Sequence, residues 1–174
     1  MPGKNEALIR DTVVFVRGVN DRQDLLVRPY FEEYSSNMSG VIRAAAADVQ
    51  FDLHRPNSLV RFSESRLVVH NYLGTSWLET LALDIPTVCF YDPSIYTFRE
   101  DPGRLIKTLE QVGIIHRSGA DAARFVNDIW KDPEEWWNSM VVQQARRVFV
   151  ERYAYFSRDW KRDWEAEFKE LAMD

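Results

Sequence analysis

His70, Asn71, Gly74, Thr75, Ser76 and Glu79 fall in one short stretch, LVVHNYLGTSWLETLALDIPTVCFY, over residues 67–91. A β-branched run ends at His70-Asn71. Small polar residues follow, then a helical stretch with Glu79 near its start, then a second β-branched run after Pro86. Gly74 lets a backbone approach closely. The free amides of Thr75, Ser76 and Trp77 at the helix start would point at an anion, which the helix dipole favours. Glu79, one turn in, would accept hydrogen bonds from ribose hydroxyls. That is a phosphate site in outline. The same letters carry a second reading. Ser76-Trp77-Leu78-Glu79 has the S-x-x-E spacing of a capping box, in which Glu79 caps its own helix. Spacing alone leaves both open.

Other reactive side chains offer less. Cys89 is the one cysteine, set between Val88 and Phe90, and reads as a small buried hydrophobe before it reads as a nucleophile. His54, His70 and His116 lack metal-ligand spacing, so no metal site is expected. No G-x-S-x-G or Walker pattern occurs. Asp92-Pro93 would approach a sugar or form an ordinary turn.

The elements that must position these groups follow from composition and pattern. The chain has 174 residues, 45% hydrophobic and 28% charged, which is one folded domain by size. A net charge of -5 with no basic block argues against nucleic-acid binding. One cysteine allows no disulfide framework within the chain and makes a reducing cytoplasm the default. No signal-peptide core or membrane span is visible. Attachment at a membrane surface stays open.

Strand runs are expected at Asp24–Arg28, Val49–Asp52, Leu67–His70, Thr87–Tyr91 and Ile114–His116. Near the N-terminus, TVVFV at residues 12–16 favours strand by propensity, against a short helix from Asn5 to Arg17. Helices are expected over Val41–Ala47, Ser58–Glu64 behind an Asn57 cap, and Ser76–Leu83. A further helix should run from an Asp101-Pro102 start to Gly113, and another should follow a Ser118–Asp121 cap. Strands alternating with helices imply βαβ units, hence a Rossmann-like, doubly wound parallel sheet. LVVH and TVCFY read as the continuous apolar runs of strands buried on both faces. From Asp132-Pro133 onward the chain reads as a helical C-terminal extension, with a break near Ser157. Five of the six Trp lie at or after Trp130. An apolar stripe through Trp137, Val141, Ala145, Val148, Tyr153, Phe156, Trp160, Trp164, Phe168 and Leu171 recurs at spacings near three and four.

The order strand, His-Asn, loop, G-T-x-x-x-E-x-L-A, then P-T-V and an aromatic resembles the donor-binding half of a GT-B glycosyltransferase. More closely, RLVVHNYLGTSWLETLALDIPTVCFYDP resembles bacterial surface-polysaccharide transferases. LLVRPYFEEY, SESRL, GIIH, EEWW and QQARRVFVERYA extend the likeness over residues 24–165. The resemblance implies that Gly74, Thr75 and Ser76 receive a diphosphate, that Glu79 takes the ribose, and that Arg28 supplies a cation to phosphate. His70 and Asn71 would sit where a base or sugar is contacted. Arg28 also reads as a surface arginine beyond a strand, and His70 as a structural histidine. Where relatives carry histidine after the proline, this chain has Tyr30.

The resemblance further implies a nucleotide-sugar donor as substrate and no cofactor. Residues 1–132 would form the nucleotide-donor-binding domain, and 133–174 the extension packing on it and on a missing partner domain or a second copy. GT-B enzymes place the acceptor site, and usually the catalytic base, largely in a first domain. A glycan acceptor would therefore be held by an N-terminal domain outside this chain, and the catalytic residue is not identified. The alternatives are a non-catalytic nucleotide-binding or assembly module on the same scaffold, or half of a nucleotide-sugar epimerase.

Overall fold

Five short apolar runs become strands, and the segments between them become helices. The computed structural model describes residues 4–29, 38–52 and 57–172. Helix α1 (Lys4–Gly18) leads to β1 (Leu26–Val27), α2 (Met38–Ala45), β2 (Gln50–Phe51), α3 (Ser58–Glu64) and β3 (Val68–His70). Then come α4 (Ser76–Ala82), β4 (Thr87–Phe90), α5 (Glu100–Gln111), β5 (Ile115–His116) and α6 (Gly119–Ile129). Helices α7 (Pro133–Trp137), α8 (Met140–Tyr153) and α9 (Trp160–Leu171) follow. All pairings are parallel, with β1 beside β2 and β3, β4 and β5 side by side in that order. This is the Rossmann-like α/β arrangement expected, with its parallel strands divided between two sheets among the described residues.

Strand β4 is buried along its whole length, and side-chain alternation sends its residues into two cores. Val88 and Phe90 join Phe15, Val16, Ile42, Ala122 and Val126 from α1, α2 and α6. Cys89 and Tyr91 join Trp77, Leu81, Ile106, Leu109, Trp137 and Phe149 from α4, α5, α7 and α8. Each such fully buried aliphatic or aromatic side chain contributes roughly 1.5–3 kcal/mol.

TVVFV lies within a helix, against its strand propensity. Thr12, Phe15, Val16 and Val19 are buried at helical spacing while Val14 is exposed, so packing of one apolar face overrides local preference. Helix α5 begins at Glu100, not behind an Asp101 cap, and Pro102 sits in its first turn, where amides have no helical partner. The Ser118 cap of α6 forms as expected, its Oγ accepting from the Asp121 N–H at 3.1 Å. Asp132 caps α7 in the same way, accepting from the Glu135 N–H at 3.0 Å.

The first part of the C-terminal extension packs on the α/β unit. Helix α8 buries Val142, Ala145, Arg146 and Phe149. Val141 and Val148, expected in the buried stripe, are exposed, so the packed face is turned one residue from the one the sequence suggested. Asp84 ties the layers together from a left-handed backbone with φ 58°. Its Oδ1 accepts from Trp137 Nε1 at 3.0 Å and Gln143 Nε2 at 3.1 Å, and lies 3.0 Å from Arg146 Nε. The chain breaks between Tyr153 and Trp160, around Ser157 as expected, and α9 has no buried residue.

Helices α1 and α6 cross closely at glycine. The Gly119 N–H donates to Asp11 Oδ1 at 2.8 Å, and a Cβ at Gly119 would lie 2.2 Å from the Asp11 carbonyl oxygen. Gly119→Ala should therefore lower the urea stability of the chain by about 1–3 kcal/mol, the usual effect of overpacking. An alanine variant with an unchanged urea midpoint would contradict this crossing.

Candidate functional site

The turn after β3 is built from short-range constraints. Asn71 Nδ2 donates to Thr12 Oγ1 at 2.9 Å, which fixes the end of β3 against α1. The Gly74 N–H returns to the Tyr72 carbonyl at 3.1 Å. A Cβ at Gly74 would lie 2.3 Å from the Tyr72 ring, so the ring can rest on the turn only because residue 74 is glycine. Tyr72 itself is 41% exposed. Cys89 Sγ lies 3.5 Å from the Tyr72 carbonyl.

Helix α4 then starts without a side-chain cap. Thr75 precedes it with helical dihedrals, φ −83° and ψ −38°, and makes no capping bond. The capping-box reading of Ser76 and Glu79 therefore does not hold. The Leu78 and Glu79 N–H groups both bond to the Thr75 carbonyl. Glu79 is half-buried, and its carboxylate has no hydrogen-bond or ion-pair partner among the described residues. The opposite side of α4 is fixed: Trp77, Thr80 and Leu81 are buried, and Trp77 packs against Phe149 with ring centroids 5.1 Å apart.

His70 faces inward. Its Nε2 lies 3.1 Å from Thr80 Oγ1. That hydroxyl donates its own proton to the Trp77 carbonyl at 3.0 Å, so it accepts from His70, which carries its proton on Nε2. The Phe62 ring closes the other side edge-on at 5.6 Å. Burial pushes the His70 pKa down to about 4. His70 is thus a neutral packing histidine that orients β3 on α4.

Arg28, just past β1, lies in an ion pair with Asp52, Nη1 to Oδ2 3.1 Å, at the end of β2. Asp52 is buried, and Arg61 Nε stands 3.4 Å from the same oxygen without hydrogen-bond alignment. His54 and Tyr30 lie outside the described residues. His116 bonds through Nε2 to the Gly113 carbonyl at 2.9 Å and packs on Phe125 at 4.8 Å, with its pKa lowered by burial. Asp92 accepts from the Ser94 N–H and hydroxyl, the ordinary turn allowed by its sequence. Cys89 is fully buried, and burial pushes its thiol pKa up, so it packs as the small hydrophobe its neighbours suggest. Among the described residues no cluster of His, Cys, Asp and Glu could hold a metal ion. No helix among them is long and apolar enough to cross a membrane.

Two features had no signal in the sequence beyond residue type. Tyr72 covers the glycine of the turn. Past β4 and β5, Tyr91 donates to Glu110 Oε1 at 2.9 Å, and Arg117 Nε donates to the same oxygen at 3.1 Å. These three line an open depression of about 400 Å³ with Phe98, Arg99 and Lys107. Glu110 and Arg117 are separated by a turn and a strand, so no local motif marks them.

The architecture is a parallel α/β domain whose conspicuous turn lies at the carboxyl edge of its strands, where such folds hold ligands. The chain belongs to the LIC12162 family of transferases, which it matches over residues 1–168. No curated protein and no solved structure matches it.

His70 gives the site a pH signature. The unfolded histidine titrates near 6.5 and the folded one near 4, so between these values the unfolded chain binds the extra proton. Stability is then whole above pH 6.5 and falls as pH drops toward 4, by on the order of 3 kcal/mol. His70→Gln should flatten this limb in urea midpoints taken from pH 7.5 to 4.5, leaving the part due to His116. An unaltered slope in the variant would remove His70 as the cause.

Proposed function

We propose that this transferase domain is the donor-binding half of a GT-B-type enzyme. It would move a sugar, or a related group, from a nucleotide-activated donor to a surface polysaccharide or glycan acceptor. The turn at residues 71–79 would hold the donor. Gly74, Thr75 and Ser76 would face the diphosphate, Glu79 the ribose, and Asn71 the base or sugar. Catalysis would be electrostatic, with hydrogen-bond donors holding the diphosphate as charge develops on the leaving group. The observation that carries this reading is Glu79: a half-buried carboxylate on a rigid helix, beside an uncapped turn and bonded to none of the described residues. The transferase family and the resemblance of the surrounding motif support it.

Two sequence-based assignments take a different weight. Arg28 would reach phosphate only by sharing or leaving Asp52. His70 serves the site through β3 and α4 and does not contact the donor. One observation favours the non-catalytic alternative: the Tyr72 ring lies over Gly74. On the transferase reading that ring swings aside when donor enters.

Calorimetry with UDP, CDP, GDP and their sugars tests the proposal. One of these should bind, and Glu79→Ala should weaken it by about 1.5–3 kcal/mol, the worth of a charged hydrogen bond, with thermal stability unchanged. A variant that melts earlier yet binds equally well would make Glu79 structural. Absence of binding to every nucleotide, in both the chain and a Tyr72→Ala form with the turn uncovered, would sink the donor reading.

The extension at 133–174 would pack on the donor domain through α7 and α8, and on a partner domain or second copy through α9. Trp160, Trp164 and Phe168 are each more than half exposed. Without a partner domain, the chain should self-associate at high micromolar concentration in sedimentation velocity, and W164E with F168E should hold it monomeric. A chain that is monomeric throughout the range would rule out the second copy.

A further inference from the structure

Among the described residues the parallel strands fall into two sheets, so that β1 and β3 are edge strands as well as β2 and β5. β1 pairs with β2 alone, and β3 opens the other sheet. On β1, the carbonyls of Leu25 and Val27 accept from the Gln50 and Asp52 N–H groups. Backbone direction alternates along a strand, so the N–H and C=O of Leu26 point away from β2. On β3, the Val68 N–H donates to the Pro86 carbonyl of the β4 side. The N–H and C=O of Val69 therefore point away from β4. Among the described residues these groups have no backbone partner.

The helix layer above is continuous where the sheet is not. Helix α1 packs on both α2 and α6, and α6 lies on β4 and β5. Arg17 Nε donates to the Ala45 carbonyl at 3.1 Å on the α2 side, and Asp11 holds the Gly119 N–H on the α6 side. Helix α1 thus bridges the two halves. Three helices at 8–10 Å spacing cover roughly six strands at ~4.8 Å, and five are present. Apolar groups stay exposed on β1 and α3: Leu26 at 49%, Leu59 at 37% and Val60 at 48%.

We infer that the two sheets are halves of one, and that the slot between β1 and β3 takes a further parallel strand, an extended apolar segment leading into α1. Chain hand selects this occupant. A strand in the slot, followed by α1 and then β1, steps across the sheet in the same direction as β1–α2–β2 and uses the same helix layer. Both units then have the right-handed crossover that parallel strands require. Residues of the segment would alternate between the core beneath α1, where Val27 and Val69 are only partly buried, and the side of the exposed Leu26. It must therefore be apolar on both faces and rich in β-branched residues. Its backbone would satisfy Leu26 on one side and Val69 on the other. The inference is independent of the donor reading.

Hydrogen exchange on two extended forms of the full chain tests it. Both carry, ahead of Met1, about six residues and a short Gly/Ser loop. One has a Val/Ile/Thr strand, and the other has the same strand interrupted by proline. The strand form should slow exchange at the Leu26 and Val69 amides by about tenfold or more relative to the proline form, the scale of one added backbone bond. Phe51 and Ile115, whose amides face the outer edges, should keep their rates. Equal rates at Leu26 and Val69 in the two forms would overturn the inference. So would protection of both amides in the unextended chain to the level of Val88. Protection in the unextended chain that disappears on dilution would assign the slot to a second copy and overturn the proposed occupant.

Discussion

The structure depends on β4 being buried on both faces. One residue of slip would carry every side chain of a strand to its opposite face, so register is held where those faces are filled by packed cores. β4 has no polar face to offer. Val88 and Phe90 are locked into the α1, α2 and α6 layer, and Cys89 and Tyr91 into the α4, α5 and α8 layer. Thr87, at its start, returns its hydroxyl to the Ile85 carbonyl at 2.7 Å, so even its polar atom is satisfied internally. With β4 fixed, β3 and β5 are fixed in register beside it, and the chain segments leaving their carboxyl ends start from known points. Those segments carry Asn71 to Glu79 on one side and Arg117 on the other.

The turn after β3 combines a rigid frame with one replaceable cover. Trp77, Thr80 and Leu81 hold α4, and Asn71 holds the strand end to α1. Between them, the Tyr72 ring rests on Gly74 with much of its surface in solvent. An aromatic ring that is partly exposed changes rotamer at modest cost, whereas moving α4 would break a core. Any ligand entering the turn would therefore displace a ring and leave the backbone unchanged. Glu79 has no hydrogen-bond or ion-pair partner among the described residues to give up. The absence of a capping bond at Thr75 leaves it free of the role that its spacing from Ser76 suggested.

Much of this was legible in the sequence, for identifiable reasons. β4 reads clearly because a run buried on both faces is apolar without alternation. The caps at Asn57 and Ser118 read clearly because a cap is local chemistry. Residues 12–16 do not, because β-branched side chains favour strand until a core offers a helix one continuous face. The packed face of α8 was misplaced by one residue because Val141, Ala145 and Val148 form almost as regular a row as Val142, Ala145 and Phe149. Arg146 belongs to the buried row only because Asp84 and the Leu81 carbonyl receive its guanidinium. The inward turn of His70 was hidden for a similar reason. Its partner Thr80 lies across the turn, and its burial depends on Phe62 from another helix.

The same reasoning divides the C-terminal helices by what holds them. Asp84 accepts from Trp137 and Gln143 and pairs with Arg146. One carboxylate in a strained backbone position thereby ties α7 and α8 to the end of α4. Trp137 and Phe149 complete the core on that side, so the chain up to Tyr153 cannot leave without opening the domain. Helix α9 has no such tie. It spans 12 residues and buries none of them, and an isolated helix of that length is marginal in water. Trp164 and Phe168 stack on each other at 5.3 Å, which shields only part of two large rings. A helix with this stripe gains most by laying it on another apolar surface.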